Sequence, residues 1–274
     1  MTLDLAALGP LILALSIAGL CAGLIAGLLG VGGGIVIVPV LFHVFKTLGY
    51  DGSVSMHLAV GTSLASIIPT ALSSMRSHFR RGAVDMDLMR RWAPATVFGV
   101  LAGSALASIT HGAVLTAVFA SVALAVALHM GFVPPELRLA HRLPSRPIQW
   151  LIAALIGAFS AMMGIGGGSL TVPTLVLCDY PIRRAVATSS ALGMVIAVPG
   201  TLGFIAGGWA TQGLPPLSLG HVNLLGLALV SPASMLAAPL GAHLAHTIDP
   251  RWLRRAFAVF LALTAAKMFY ALSI

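Results

Sequence analysis

The sequence predicts an all-α polytopic membrane protein made of two inverted repeats. Each repeat has about five helical segments and begins with a glycine-broken hairpin. Three observations carry this reading: the scarcity of charge, a pattern that recurs in both halves, and the grouping of the arginines. Of 274 residues, 22 are charged, or 8%, and 58% are apolar. A soluble domain carries about 25% charged residues. Mean hydropathy is +1.02. So much apolar surface needs lipid as its solvent, which excludes a cytosolic enzyme, a disulfide scaffold and a disordered chain. The long apolar runs lack the alternation of a membrane β-barrel, so they are helices.

The chain contains itself twice. Residues 23–41 read GLIAGLLGVGGGIVIVPVL, and residues 157–175 read GAFSAMMGIGGGSLTVPTL. Gly23, Gly30, Gly32, Gly33, Gly34, Pro39 and Leu41 align with Gly157, Gly164, Gly166, Gly167, Gly168, Pro173 and Leu175 at a spacing of 134. Ala59-Val60-Gly61-Thr62-Ser63 aligns with Ala185-Val186-Ala187-Thr188-Ser189 at a spacing of 126. Gly82, Val84, Pro94, Gly103, Leu106 and Ala107 align with Gly220, Val222, Pro232, Gly241, Leu244 and Ala245 at 138. A repeat of this extent defines the architecture. It divides the chain into a first repeat, 1–130, a cytoplasmic linker, 131–148, and a second repeat, 149–274. Asp85 aligns with Asn223, and both fall in membrane-edge turns.

The orientation follows from charge. All 13 arginines fall in four groups: 76–91, 138–146, 183–184 and 251–255. The positive-inside rule places all four in the cytoplasm. The turns near Thr110-His111 and around 208–221 are then outside. The first repeat runs as a hairpin over about 10–46 and segments near 57–76, 92–110 and 112–130. The second runs as a hairpin over 149–181 and segments near 185–207, 222–247 and 252–272. An odd number of segments per repeat inverts the second against the first, the plan of many secondary transporters. Asp4 and the lack of a basic leading stretch argue against a cleaved signal peptide.

The glycine runs carry the chemistry. Three glycines end a helix and let backbone approach a ligand closely. Unpaired backbone inside a bilayer costs several kcal/mol unless it lines protein or a polar cavity. Gly30, Gly32, Gly33 and Gly34, and Gly164, Gly166, Gly167 and Gly168, each lead into an apolar half-helix. Free N–H groups and the positive dipole end there suit an oxyanion. Thr62, Ser63, Thr188 and Ser189 offer hydroxyl donors without a buried charge. Pro39 and Pro173 are candidate hinges. Gly23-x3-Gly27 fits helix packing.

The doubled G-x6-G-x-G-G-G-x4-P-x-L, with the T-S pair that follows, resembles the sulfite exporter TauE/SafE family, also called the 4-toluene sulfonate uptake permeases. The resemblance spans both halves. It implies a multi-pass transporter in a bacterial-type inner membrane, with a small sulfur-containing anion such as sulfite or an organosulfonate as substrate. Ala161 and Ala187 stand where the first copy has Gly27 and Gly61.

Other classes fit less well. No G-x4-G-K-[ST] loop marks an ATPase. No HExxH and no recognisable Ser/His dyad marks an enzyme. His243 and His246 lack a third ligand, so no metal is expected, and no cofactor is implied. The arginines sit in short loops, which argues against nucleic acid. Cys21 and Cys178 read as small apolar residues. All seven acids lie in loops or at membrane edges, which argues against a carboxylate coupling site. Efflux of an anion down a potential of about 100 mV gains roughly 2.3 kcal/mol per charge. Import needs a partner ion, with His129 or His243 as a proton carrier. Lys267 is expected to snorkel, and Arg183 and Arg184 to gather anions near the second hairpin. An anion channel, or a transporter of another small solute on the same scaffold, is the alternative.

Overall fold

The computed structural model describes residues 5–29, 33–134, 137, 138, 140–245 and 250–273. Ten helices occur among the described residues: α1 (Leu5–Leu29), α2 (Gly34–Thr47), α3 (Gly52–Arg80), α4 (Met86–Ile109), α5 (Gly112–Phe132), α6 (Arg146–Met163), α7 (Gly168–Leu177), α8 (Ile182–Gly207), α9 (Leu224–Ala245) and α10 (Pro250–Leu272). A two-residue ribbon, β1 (Ser218–Leu219) against β2 (Val222–Asn223), precedes α9. The protein is all-α, and seven of its helices contain stretches long and apolar enough to cross a membrane. The helices extend beyond several expected bounds, because capping residues outside the apolar runs start them. Asp51 caps α3 by accepting the Ser53 N–H at 2.8 Å, and Asp85 caps α4 by accepting the Leu88 N–H at 2.9 Å.

The second glycine run breaks the chain as expected. There α6 stops at Gly164, whose φ of +68° is left-handed. Only ten residues then form α7. In the first, α1 and the short α2 flank residues 30–32. Gly30 and Gly32 lie outside the described residues.

The helices interlock. α1 packs on α9, and α6 on α4; α2 packs on α3, and α7 on α8; α3 also meets α9, as α8 meets α4. α3 pairs with α8, and α5 with α10. Exchanging α1–α5 for α6–α10 maps these pairings onto themselves. The packing is close at matching glycines. A Cβ on Gly23 of α1 would sit 2.2 Å from the Ser234 carbonyl oxygen of α9. A Cβ on Gly157 of α6 would sit 2.3 Å from the Thr96 carbonyl oxygen of α4. Gly157 and Thr96 are the repeat partners of Gly23 and Ser234. The packing expected of Gly23 is what the structure has: backbones touch where no side chain intervenes. Large apolar side chains such as Phe98, Leu202, Leu236 and Leu263 face outward.

Candidate functional site

The start of α2 meets the tip of the second hairpin beside α3. A Cβ on Gly34, the first residue of α2, would lie 2.4 Å from the Gly164 carbonyl oxygen and 3.0 Å from Ile165 Cα. Ser63, fully buried on α3, donates to that same Gly164 oxygen at 2.7 Å. Ile67, one turn on, packs over Gly34 and Gly166. Gly193 of α8 closes on the Gly166 oxygen. Gly34, Ser63, Gly164 and Gly166 therefore share one neighbourhood.

The start of α7 carries the polar groups. Gly167 has φ +75°, which L side chains rarely adopt. Its carbonyl accepts from Leu170 and Thr171 at 3.1 and 2.8 Å. Gly168 and Ser169 open the helix, so their N–H groups have no acceptor one turn back within it. A Cβ on Gly167 would stand 3.6 Å from Ser160 Oγ and 3.7 Å from Thr171 Oγ1. Ser160 and Thr171 are fully buried, Ser169 nearly so, and none of the three hydroxyls has a hydrogen-bond partner among the described residues. A buried hydroxyl without a partner costs about 1–3 kcal/mol. Sequence reasoning passed over Ser160, Ser169 and Thr171, yet the signal was in the repeat. The first copy has Ala26, Ile35 and Ile37 at the aligned positions.

The first tip differs. Gly33 has φ −69°, ordinary helical backbone. Its carbonyl accepts from Val36 and Ile37, both at 3.0 Å. Pro39 and Pro173 sit inside α2 and α7.

The threonines on the long helices do something sequence reasoning did not assign. Thr62 Oγ1 accepts the Asn223 N–H at 2.9 Å, and Thr188 Oγ1 accepts the Asp85 N–H at 3.0 Å. Asn223 Oδ1 in turn accepts the Gly226 N–H at 2.8 Å. Each threonine thus anchors the turn that starts a helix of the other half. Each keeps its hydroxyl proton for another acceptor. Ser189 bonds the Val186 oxygen of its own helix at 2.9 Å. Tyr180 donates to Asp85 Oδ2. Burial pushes the Asp85 carboxyl up, but the Tyr180 hydroxyl, the Leu88 and Asp87 N–H groups and the Arg184 charge outweigh it and hold it below its ordinary value of 3.8. Arg183 and Arg184 are exposed at the start of α8.

A cavity of about 480 Å³ lies farther along α3, walled by Ile68, Pro69, Ile205, Leu224 and Pro232. Thr201 and Ser231 also line it, but only apolar atoms face the space, and no charge meets an anion there.

Seven helices with stretches long and apolar enough to cross a membrane define a polytopic membrane protein. The chain belongs to the sulfite exporter TauE/SafE family, whose family model matches residues 15–268. It is 30% identical to a probable membrane transporter protein of Haemophilus influenzae over 252 residues, covering 92% of this chain and 95% of the relative. It is 24% identical to the probable membrane transporter protein MJ0441 of Methanocaldococcus jannaschii, covering 88% of each. It is 28% identical to the probable membrane transporter protein YunE of Bacillus subtilis, covering 93% and 96%.

Proposed function

We propose that the chain is a permease for a small sulfur-containing oxyanion, such as sulfite or an organosulfonate, working in export across a bacterial-type inner membrane. The observation that carries the reading is the start of α7. Two buried hydroxyls without partners, Ser160 and Thr171, flank a left-handed Gly167 at the positive end of a helix. An oxyanion with several acceptor atoms answers hydroxyl donors and backbone N–H groups together. Gly34 of α2 walls the site from the opposite hairpin, so movement of one tip against the other opens it. Pro39 and Pro173 are the hinges of that motion.

The orientation belongs to the same proposal. The arginine groups face the cytoplasm, residues 1–130 and 149–274 run in opposite senses, and 131–148 join them. The membrane potential drives the anion out. The test is uptake of labelled sulfite into proteoliposomes under an imposed potential, with unlabelled sulfonates and thiosulfate as competitors. Saturable, competed flux that follows the potential is expected. Flux that neither saturates nor shows counterflow favours a channel. Absence of flux under any gradient removes the sulfur-anion reading.

A further inference from the structure

Where α3 begins, a second polar cluster lies apart from the hairpin tips. His57, in the second turn of α3, and His221, just before β2, are each 6% exposed. Their ring centroids are 4.8 Å apart. His57 Nδ1 lies 2.8 Å from the Ser53 carbonyl oxygen, and Nε2 lies 2.9 Å from the Ala107 carbonyl oxygen at the end of α4. Carbonyl oxygens only accept. A neutral imidazole donates from one nitrogen, and both nitrogens donate only in the imidazolium. Both contacts are hydrogen bonds, therefore, only while His57 is charged.

Two helix ends adjoin the pair. Ala107 is in the last turn of α4, and Phe204, whose ring lies 6.4 Å from each imidazole, is in the last turn of α8. Two helix C-termini, the negative ends of their dipoles, thus adjoin the pair. His221 Nε2 meets Thr211 Oγ1 at 3.3 Å, while its Nδ1 is buried without a partner among the described residues. Burial, and then the His57 charge, push His221 down to about 4. Of the two rings, only His57 has a carbonyl oxygen facing each nitrogen. The other titratable groups at this end of those elements are Tyr50 and Asp51 ahead of α3 and His111 ahead of α5. Asp51 is engaged with the Ser53 N–H. The last turns of α4 and α8 and the stretch 208–220 bring none.

We propose that His57 and His221 form a proton-binding site that latches α3 to the end of α4, and that losing this proton opens that end of the molecule. Neutral His57 leaves one lone pair facing a carbonyl oxygen. The Ser53 contact is local to one turn of helix, so the Ala107 contact between helices is the one that parts. Gly112, whose N–H donates to Ser53 Oγ at 2.7 Å, ties α5 into the same junction. At the aligned position the second half has Arg183, exposed and permanently charged. Proton control is thus confined to one end of the protein, and it links the opening step to pH whatever the solute.

The test uses the full chain in lipid nanodiscs with isotope-labelled histidine, the His57 signal being assigned from His57→Gln. Spin labels on Leu48→Cys, in the turn that leads into α3, and Ile109→Cys, with Cys21 and Cys178 replaced by Ser, report the distance from that turn to the end of α4. The His57 signal and the distance are followed together from about pH 6 to about pH 9, and a longer distance is expected to grow only as the imidazolium signal is lost. His57→Gln is expected to abolish the pH dependence of that distance. A neutral His57 at about pH 6, or a wild-type distance unchanged across the range, overturns the proposal. Neither readout depends on sulfite being transported.

Discussion

The two hairpins share a motif but not a chemistry. At the second tip, Gly167 is left-handed and Ser160, Ser169 and Thr171 bring hydroxyls to it. At the first, Gly33 is helical, and Ala26, Ile35 and Ile37 occupy the matching positions. The glycines of the first tip have another use: Gly34 lets α2 press on the backbone at Gly164. One hairpin binds and the other closes, in the proposed reading. A duplicated frame has thus kept its packing in both copies and its polar groups in one.

The largest effect tests the shared part. Gly157→Val and Gly23→Val each force a side chain into a facing carbonyl, and overpacking of this kind costs about 1–3 kcal/mol or more. Both variants are expected to lose folded protein alike, read as yield after detergent extraction and size-exclusion chromatography. A well-folded Gly23→Val beside a lost Gly157→Val would break the equivalence.

The next tests the difference. Gly167→Ala places a Cβ at positive φ and 2.4 Å from Ile196 Cδ1. Gly33→Ala meets nothing closer than 3.3 Å. Transport is expected to fall roughly tenfold or more in the first, since left-handed backbone costs about 1–2 kcal/mol, and to change little in the second. Equal losses in proteoliposome flux would make the tips equivalent.

Ser160→Ala with Thr171→Val separates binding from folding. Removing hydroxyls without partners is expected to leave thermal stability equal or up by about 1 kcal/mol, while apparent affinity falls about tenfold. Ile37→Thr, the reverse change on α2, is expected to bring no gain in affinity. A fall in melting temperature alone would make these hydroxyls structural.

The smallest effect concerns the anchored turns. The depressed Asp85 contributes stability that is complete above its ordinary value of 3.8 and is lost as pH falls through its lower folded value. Asp85→Asn makes this turn chemically like that of Asn223 and is expected to flatten the acid limb of a melting-temperature profile. Tyr180→Phe, which removes a bond that lowers Asp85, is expected to flatten it in part.

The membrane class, the break at Gly164–Gly168 and the family were legible because hydropathy, glycine runs and self-alignment are local signals. That Gly34, Ser63, Gly164 and Gly166 share one neighbourhood comes from the fold. The partners of Thr62 and Thr188 were not legible, since a hydroxyl on a helix gives no sign of which distant N–H it meets. His57 and His221 escaped for a related reason. They are separated by most of the chain, neither falls in a motif, and only the fold brings the rings together. Ser160 and Thr171 were within reach, had the differences between the copies been weighed as closely as the matches.

The crossed pairing of α1 with α9 and α6 with α4 sets terms for biosynthesis. α1 leaves the ribosome early, yet its main partner is not made until four-fifths of the chain has emerged. The small-residue face that includes Gly19 and Gly23 must wait in the bilayer through that interval. The second hairpin finds α4 already inserted. Assembly is therefore ordered from the α4–α6 seam outward, and the α1–α9 seam closes late, followed only by α10 on α5. A substitution in the α1 seam shows itself as late failure and turnover of a nearly complete chain.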